Sequence, residues 1–225
     1  MSELRLVIFD VDGTLVDSQN LIVQSMQAAF DLNGQPVPDR ADIRSIVGLS
    51  LELGIEILAQ GLSPDLIAAI AASYRENYFV LREQRGTVET SPFFPGAREA
   101  LDHLREDPWT LLAVATGKSR RGLDKLIEGH GLQGYFTSTQ VSDNHPSKPN
   151  PAMILAALDE TGVSPDRAVM IGDTTFDMQM GRAAKVSTIG VGWGYHAPED
   201  LEADAIIESF HQLKPTVDRL LETRK

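Results

Sequence analysis

Short apolar segments alternate with helical segments along the second half of this chain. Apolar runs at 110–115, 168–171 and 187–191 are separated by stretches with helical spacing, and a further run, 6–9, stands near the start. Strands that alternate with helices are typical of βαβ units, whose strands pair in parallel. We therefore predict an α/β fold with a doubly wound, Rossmann-like parallel sheet.

The segment that follows the first strand has a different pattern. Helix signals succeed one another without a convincing strand: Asn33-Gly34 is a typical helix end, and Ser63-Pro64 is a typical helix start. Ser18 is placed to cap the first of these helices. The pattern predicts an all-helical cap domain that is hinged near residues 16 and 90–92 and can close over the sheet edge. The predicted boundaries are 1–16 and 91–225 for the Rossmann-like core and 17–90 for the cap domain.

The individual helices can be predicted from the same signals. In the cap we expect helices at 18–32, 40–47, 50–60 and from 63 onward, and in the core at 96–105, 119–130, 151–161, 176–184 and 210–223. Pro215 must then lie in the first turn of the last helix or bend it. Ile206 and Ile207 are predicted to form a short edge strand.

Charge and composition exclude several classes of function. The 225 residues include 20 Lys and Arg against 32 Asp and Glu, a formal net charge of −12. Such a surface disfavours nucleic acids and anionic membranes, although a local pocket of donors and a metal can still bind a small anion. The absence of cysteine excludes disulfides and thiol catalysis and suits a cytoplasmic protein. No apolar stretch reaches the roughly 18 residues of a membrane-spanning helix.

The residues directly after the first strand carry the strongest chemical signal. Asp10 and Asp12 stand one residue apart, and Gly13 frees the backbone to curl. In an open parallel sheet, ligands bind beyond the carboxyl ends of the strands, which is where these two acids are predicted to lie. Asp and Gly are also common in ordinary turns, so the chemical interpretation depends on partners from the rest of the chain.

Two further segments offer groups that bind phosphate. Thr116 and Gly117 follow the strand at 110–115 and precede a helix, so they can form either a phosphate clamp or an ordinary helix cap. Lys148 precedes Pro149, which favours an extended backbone at the lysine. Its ammonium can act as a point charge on a phosphoryl oxygen, although a single lysine is more commonly a solvated surface residue.

A second acid pair follows the strand at 168–171. Asp173 is the first residue beyond the Gly172 that ends this strand, and Asp177 falls in the first turn of the next helix, where an acid also stabilises the helix itself. Carboxylates from two strand ends are hard oxygen ligands and suit Mg²⁺, which takes one or two carboxylates together with water and substrate phosphate. We therefore predict a Mg²⁺ site that includes Asp10 and Asp173.

Taken in chain order, these four segments resemble the four signature motifs of the haloacid dehalogenase superfamily. The resemblance covers essentially the whole chain, and the helical insert between the first two motifs resembles the subfamily with a helical cap there. Pro95-Gly96 and the segment 191–195 are similar to the phosphoglycolate phosphatase branch.

The resemblance implies a role for each motif residue. Asp10 would attack phosphorus and form an aspartyl-phosphate, and Asp12 would serve as general acid and then general base. Thr116, Gly117 and Lys148 would hold the phosphoryl oxygens. Mg²⁺ would be bound by the side chains of Asp10 and Asp173 and by the main-chain carbonyl of Asp12, while Asp177 would orient Lys148 or metal-bound water.

The activity expected from the resemblance is Mg²⁺-dependent hydrolysis of a small phosphorylated metabolite, phosphoglycolate-like or a sugar phosphate. Asp12 argues against a dehalogenase, and the absence of any lysine before Lys118 argues against a phosphonate hydrolase. A sugar-phosphate mutase of β-phosphoglucomutase type usually carries a histidine where Ile22 stands. A mutase, a pyrophosphatase and a non-catalytic binding module on the same fold remain the alternatives.

Substrate specificity is expected to reside in the cap. Its cations are Arg40, Arg44, Arg75, Arg82 and Arg85. Arg44 precedes the break at 47–50, a loop that can face the site, and a guanidinium there would suit a substrate carboxylate or second phosphate. The alternative is a solvated arginine on a cap helix. Arg44 is the predicted specificity residue.

Overall fold

A parallel six-stranded sheet forms the centre of the molecule in the computed structural model, which describes residues 4–222. The strand order is β3-β2-β1-β4-β5-β6, and every neighbouring pair is parallel. This order confirms the predicted doubly wound sheet. The strands are β1 Arg5–Phe9, β2 Thr110–Thr116, β3 Ser138–Val141, β4 Ala168–Gly172, β5 Ser187–Val191 and β6 Ala205–Ile207.

Five helices occupy the inserted segment between residues 19 and 90. They are α1 Gln19–Leu32, α2 Arg40–Ser45, α3 Leu51–Leu58, α4 Pro64–Arg85 and α5 Thr87–Thr90. The first four share a hydrophobic cluster that includes Met26, Phe30, Ile55 and Ile70 and also reaches Tyr195 on a core loop. The helical character of this region agrees with the prediction.

The chain leaves the sheet and returns to it at adjacent points. The amide of Asp17 donates to the carbonyl of Pro92 at 2.8 Å, and Val16 forms an antiparallel bridge with Phe93. Two neighbouring crossings join the helical region to the sheet, close to the predicted hinges.

Both faces of the sheet are buried, and its central strands β1, β2 and β4 are apolar at almost every position. Val7 and Phe9 point into one core cluster, while Leu6 and Ile8 point into the other. The first cluster is covered by α6 Ala97–Arg105, α7 Arg120–His130 and α10 Leu213–Glu222, and the second by α8 Ala152–Thr161 and α9 Thr175–Ala183. Strands buried on both faces lack the polar alternation of a half-exposed sheet, which explains their unbroken apolar runs.

The structure differs from the predictions in a few elements. Strand β3 and helix α5 were not predicted, and the second and third helices are each shorter than expected. The Ser18 hydroxyl does not cap α1 and bonds to Asp12 instead, so the capping prediction was wrong. Pro215 lies in the first turn of α10 as expected, whereas residue 223 lies outside the described residues.

Among the helices of the described chain, none has both the length and the apolar character needed to span a bilayer.

Candidate active site

Three buried carboxylates meet at the carboxyl edge of the sheet. Asp10 follows β1, Asp173 follows the adjacent strand β4, and Asp177 lies in the first turn of α9. One oxygen from each lies within 4.8 Å of the others, and each residue is at most 1% exposed. The site stands between β1 and β4, where the strand order reverses, as expected for a ligand site in a doubly wound sheet.

The ammonium of Lys148 lies against this cluster. Its Nζ is 2.9 Å from Asp10 Oδ1 and donates to Asp177 Oδ1 at 2.7 Å, and the residue is fully buried. Burial lowers the pKa of Lys148, but the attraction of Asp10 and Asp177 outweighs it and raises that pKa above its usual value. Lys148 is therefore a fixed positive charge at the site rather than a solvated surface lysine.

The acidic cluster carries more negative charge than Lys148 neutralises. Burial raises the pKa of Asp10 to about 6, against the opposing attraction of Lys148. Burial, and then repulsion from Asp177 and Asp10, raises the pKa of Asp173 well above its ordinary range. Neither oxygen of Asp10 accepts a well-formed hydrogen bond within residues 4–222. Hard oxygen donors, crowded and short of positive charge, fit a divalent cation.

Neighbouring groups fix the carboxylate of Asp173 in place. Thr14 Oγ1 donates to Oδ1 at 2.7 Å, and the amide of Tyr195 donates to Oδ2 at 3.0 Å. Gly13 has a φ of +89°, and a Cβ there would lie 2.2 Å from Asp173 Oδ2. A glycine is thus required both for the turn and for the close approach of this carboxylate.

The two carboxylate oxygens of Asp177 accept hydrogen bonds from different partners. One oxygen holds Lys148, and the other accepts hydrogen bonds from the main-chain amide and the hydroxyl of Thr174 in a capping box that begins α9. The sequence suggested two roles for Asp177, a helix-stabilising acid and a partner of Lys148. The structure shows the contacts that belong to each.

Asp12 is held by groups from the core loops and the cap. Ser18 Oγ donates to Oδ1 at 2.5 Å, and Lys118 Nζ lies 2.8 Å from Oδ2. Lys118 also donates to the hydroxyl of Tyr78 on α4 at 3.1 Å, and the hydroxyl of Tyr195 lies 3.3 Å from Ser18 Oγ. Sequence reasoning missed these contacts. Of the residues in these contacts, only Lys118 could have been noticed in the sequence, because it directly follows the predicted phosphate-binding pair Thr116-Gly117.

In the loop after β2, the hydroxyl of Thr116 accepts a hydrogen bond from the amide of Lys118 at 3.2 Å. Ser119 Oγ accepts from the amide of Gly122 and so caps α7, which leaves Thr116 facing the cavity. Gly117 touches the cap: a Cβ there would lie 2.6 and 2.7 Å from the carbonyl oxygens of Gly48 and Leu49. This glycine allows the cap backbone to pack directly on the loop.

A cavity of about 570 Å³ lies between the helical region and the sheet edge. Its core side is lined by four predicted site residues, Asp10, Asp12, Thr116 and Gly117. Its volume is in the range typical of small-molecule sites. The cap side is lined mainly by residues of α1, α3 and α4 and the segment 46–50, among them Ile22, Met26, Leu49, Tyr74, Tyr78, Phe79 and Arg82.

The structure does not bring the predicted specificity residue Arg44 to this cavity. Its Nη2 donates to the carbonyl oxygen of Tyr195 at 3.1 Å and lies 3.5 Å from that of Gly194, so it joins the cap to a core loop. Arg44 is also absent from the cavity lining, whereas Arg82, another of the five cap arginines, is part of it. The break at 47–50 does face the cavity, but the guanidinium of Arg44 contacts the core loop at 194–195 instead.

Several known proteins are similar to this chain in sequence or in structure. A phosphatase of Dickeya dadantii, described as probable phosphatase IndB, is 36% identical over 222 residues, covering 96% of this chain and 94% of the relative. A phosphoglycolate phosphatase of Vibrio vulnificus is 28% identical and covers 96% of each chain. Among solved structures, the haloacid dehalogenase-like hydrolase SP0104 of Streptococcus pneumoniae superposes with a TM-score of 0.80 at 27% identity, covering 96% of this chain and 99% of its own.

The family model described as haloacid dehalogenase-like hydrolase matches residues 7–191. That span begins in β1, ends with β5 and includes the acid pairs, Thr116 and Lys148, so the match covers both the helical insert and every predicted motif. With its sheet order, its buried acids and its inserted helices, the chain belongs to the haloacid dehalogenase-like hydrolases.

Proposed function

We propose that this protein is a Mg²⁺-dependent phosphatase that hydrolyses a small phosphate monoester through an aspartyl-phosphate. The observation that carries the proposal is the buried Asp10–Asp173–Asp177 cluster with Lys148, whose Asp10 lines a cavity of small-molecule size. The relatives named phosphatase and phosphoglycolate phosphatase support the reaction class. Release of inorganic phosphate from a panel of phosphate esters, with and without Mg²⁺, tests it directly.

The residues present fit a divalent cation. The cluster offers carboxylate oxygens only, and burial and mutual repulsion disfavour its charged state. We assign the side chains of Asp10 and Asp173 and the main-chain carbonyl of Asp12 to Mg²⁺, with Asp177 holding Lys148. When bound, the cation would neutralise charge that develops on the phosphoryl oxygens.

The proposed first step forms a bond between an Asp10 carboxylate oxygen and phosphorus, while the bond from phosphorus to the leaving oxygen breaks. Asp12 gives its proton to that oxygen. In the second step Asp12 takes a proton from water, the water oxygen attacks phosphorus, and phosphate leaves Asp10. Thr116 and Lys148 hold the phosphoryl oxygens throughout. Division into two steps replaces one difficult displacement by two easier ones.

Ile22 favours a phosphatase over a mutase. It lies on α1, is 6% exposed and lines the cavity. An apolar side chain at this position provides no group for the proton transfers of a sugar-phosphate mutase. The residues between 17 and 90 include neither histidine nor lysine, so the cap has no replacement of that kind.

Asp12→Asn is expected to reduce kcat by at least about 10²-fold, because an amide can neither protonate the leaving group nor deprotonate water. The measurement is steady-state phosphate release. Asp17→Asn is the matched control, since Asp17 is an exposed acid five residues along the same loop. If the Asp12→Asn variant kept the wild-type kcat, Asp12 could not be the general acid and base of the reaction.

We further propose that residues 17–90 form a cap domain that opens and closes on the core 1–16 and 91–225. The adjacent crossings at Val16 and Phe93 support this division, as does a hydrophobic cluster that is built almost entirely from residues of the inserted helices. Closure would expel water from the cavity and strengthen the electrostatic interactions inside it.

Gly117→Ala tests closure. The added Cβ would meet two cap carbonyl oxygens within 2.7 Å, so the closed arrangement is disfavoured. Overpacking of this kind typically costs about 1–3 kcal/mol, and we expect KM to rise roughly tenfold or more. Because the clash is confined to the closed form, the unfolding temperature should change little. An unchanged KM would show that closure against Gly117 is not required for binding.

A further inference from the structure

The guanidinium of Arg82 is buried in the cap without an acidic partner. Arg82 lies in the last turn of α4 and is 6% exposed. Its Nε is buried without a hydrogen-bond partner, and within residues 4–222 no carboxylate pairs with the guanidinium. The guanidinium lies over the ring of Tyr78, with Arg82 Cζ 5.7 Å from the ring centroid. A buried, unpaired cation is unfavourable unless something else binds it.

Arg44 also has a buried Nε without a hydrogen-bond partner, but the other cap arginines differ from Arg82 in exposure and in the contacts of the guanidinium. Arg40 donates to side-chain amides, Arg44 donates to main-chain carbonyls, Arg75 is paired with a glutamate, and Arg85 is exposed. Arg82 is therefore the cap arginine whose charge is both buried and uncompensated.

Arg82 lines the same cavity as Asp10 and Asp12. The two lysines near those acids are already engaged, since Lys148 lies between Asp10 and Asp177, and Lys118 is paired with Asp12. Arg75 and Arg121 also line the cavity, but both are exposed. Arg82 is therefore a buried positive charge in the cavity wall that remains available to a bound molecule. A planar guanidinium presents a fork of donors that matches carboxylate and phosphate.

We infer that Arg82 is a specificity-determining residue that binds an oxyanion on the leaving group of the substrate, either a carboxylate or a second phosphate. The inference rests on the proposed phosphatase function, because it places the scissile phosphate at Asp10 and the second anion at the cap side of the cavity. The substrate class is thus a phosphate monoester with one additional negative group.

Two matched substrate pairs test this inference. 2-Phosphoglycolate differs from 2-hydroxyethyl phosphate by its carboxylate, and fructose 1,6-bisphosphate differs from fructose 6-phosphate by its second phosphate. The readout is the ratio of kcat/KM within each pair. We expect the wild-type protein to prefer the anionic member of one pair, and that pair then identifies the anion.

Arg82→Met keeps much of the side-chain volume and removes the charge. It is expected to reduce the preference for the anionic member about 10- to 100-fold, which is typical for the loss of a hydrogen-bonded charge. The neutral member should be hydrolysed at nearly the wild-type rate. Arg82→Lys should retain part of the preference. Arg85→Met removes an exposed cation of the same helix and should leave both ratios unchanged.

The inference would be overturned if Arg82→Met left the kcat/KM ratio unchanged in both substrate pairs. This result would leave the proposed phosphatase reaction itself intact. A wild-type protein that releases no phosphate from any ester with Mg²⁺ would instead overturn the proposed function. Calorimetric binding in an Asp10→Asn background gives a readout independent of turnover. There, Arg82→Met should weaken binding of the preferred anionic ester at least tenfold and leave inorganic phosphate unaffected, and equal weakening of both would reject the assignment.

Discussion

Asp10→Asn is expected to abolish phosphate release and to leave the fold intact. The amide has nearly the shape of the carboxylate but cannot form the acyl phosphate, and loss of a covalent nucleophile typically costs about 10⁴-fold or more in kcat. The measurement is single-turnover and steady-state phosphate release at saturating Mg²⁺.

The stability of the same variant separates a chemical from a structural cause. Burial raises the pKa of Asp10 to about 6, so its carboxylate is disfavoured in the folded protein at neutral pH. Neutral Asn removes this unfavourable charge, and Lys148 keeps Asp177 as a partner. In the absence of Mg²⁺ we therefore expect an unfolding temperature equal to or above that of the wild type. Substantial turnover in Asp10→Asn would reject the covalent mechanism, whereas a lowered unfolding temperature would assign the loss to misfolding.

The position of the site could be predicted because it depends on strand ends alone. Two apolar runs, each followed closely by acids, indicate two parallel strands that end at one edge of a sheet. The register confirms this, since Phe9 pairs with Ile171 and so places Asp10 beside the end of β4. No side-chain orientation has to be known for that argument.

Strand β3 could not be predicted because its sequence, Ser-Thr-Gln-Val, is polar. It lies at one edge of the sheet, where hydrogen bonds to β2 and the packing of α8 define it. Such an edge strand lacks the apolar run that identifies the central strands.

The expectation that Arg44 faces the site was wrong for a related reason. Helical spacing tells which side chains share a face of a helix, but it does not tell how the cap is rotated on the core. The packing of the cap turns Arg44 toward the carbonyls of Gly194 and Tyr195 and turns Arg82 toward the cavity. The contacts of Lys118 and Ser18 with Asp12 likewise depend on how separate loops meet, which no local pattern contains.

Removal of divalent cations is expected to abolish activity, and addition of Mg²⁺ is expected to restore it. Three carboxylates lie together in the protein interior with one ammonium between two of them. Repulsion from Asp177 and Asp10 adds to burial in raising the pKa of Asp173, so the cluster favours any bound positive charge. The measurement is phosphate release after exhaustive chelation and again after titration with Mg²⁺.

Thermal unfolding provides a second measurement that does not depend on turnover. A ligand at 100 times its Kd stabilises the folded state by about 2.7 kcal/mol. For a chain of 225 residues this corresponds to a rise of about 5–10 °C in Tm. Asp173→Asn should remove most of that rise, because it deletes a charged ligand, whereas Asp159→Asn, on the exposed side of α8, should leave it unchanged. Full activity after chelation would reject the metal requirement, and a Mg²⁺-dependent rise that survives Asp173→Asn would place the cation away from this cluster.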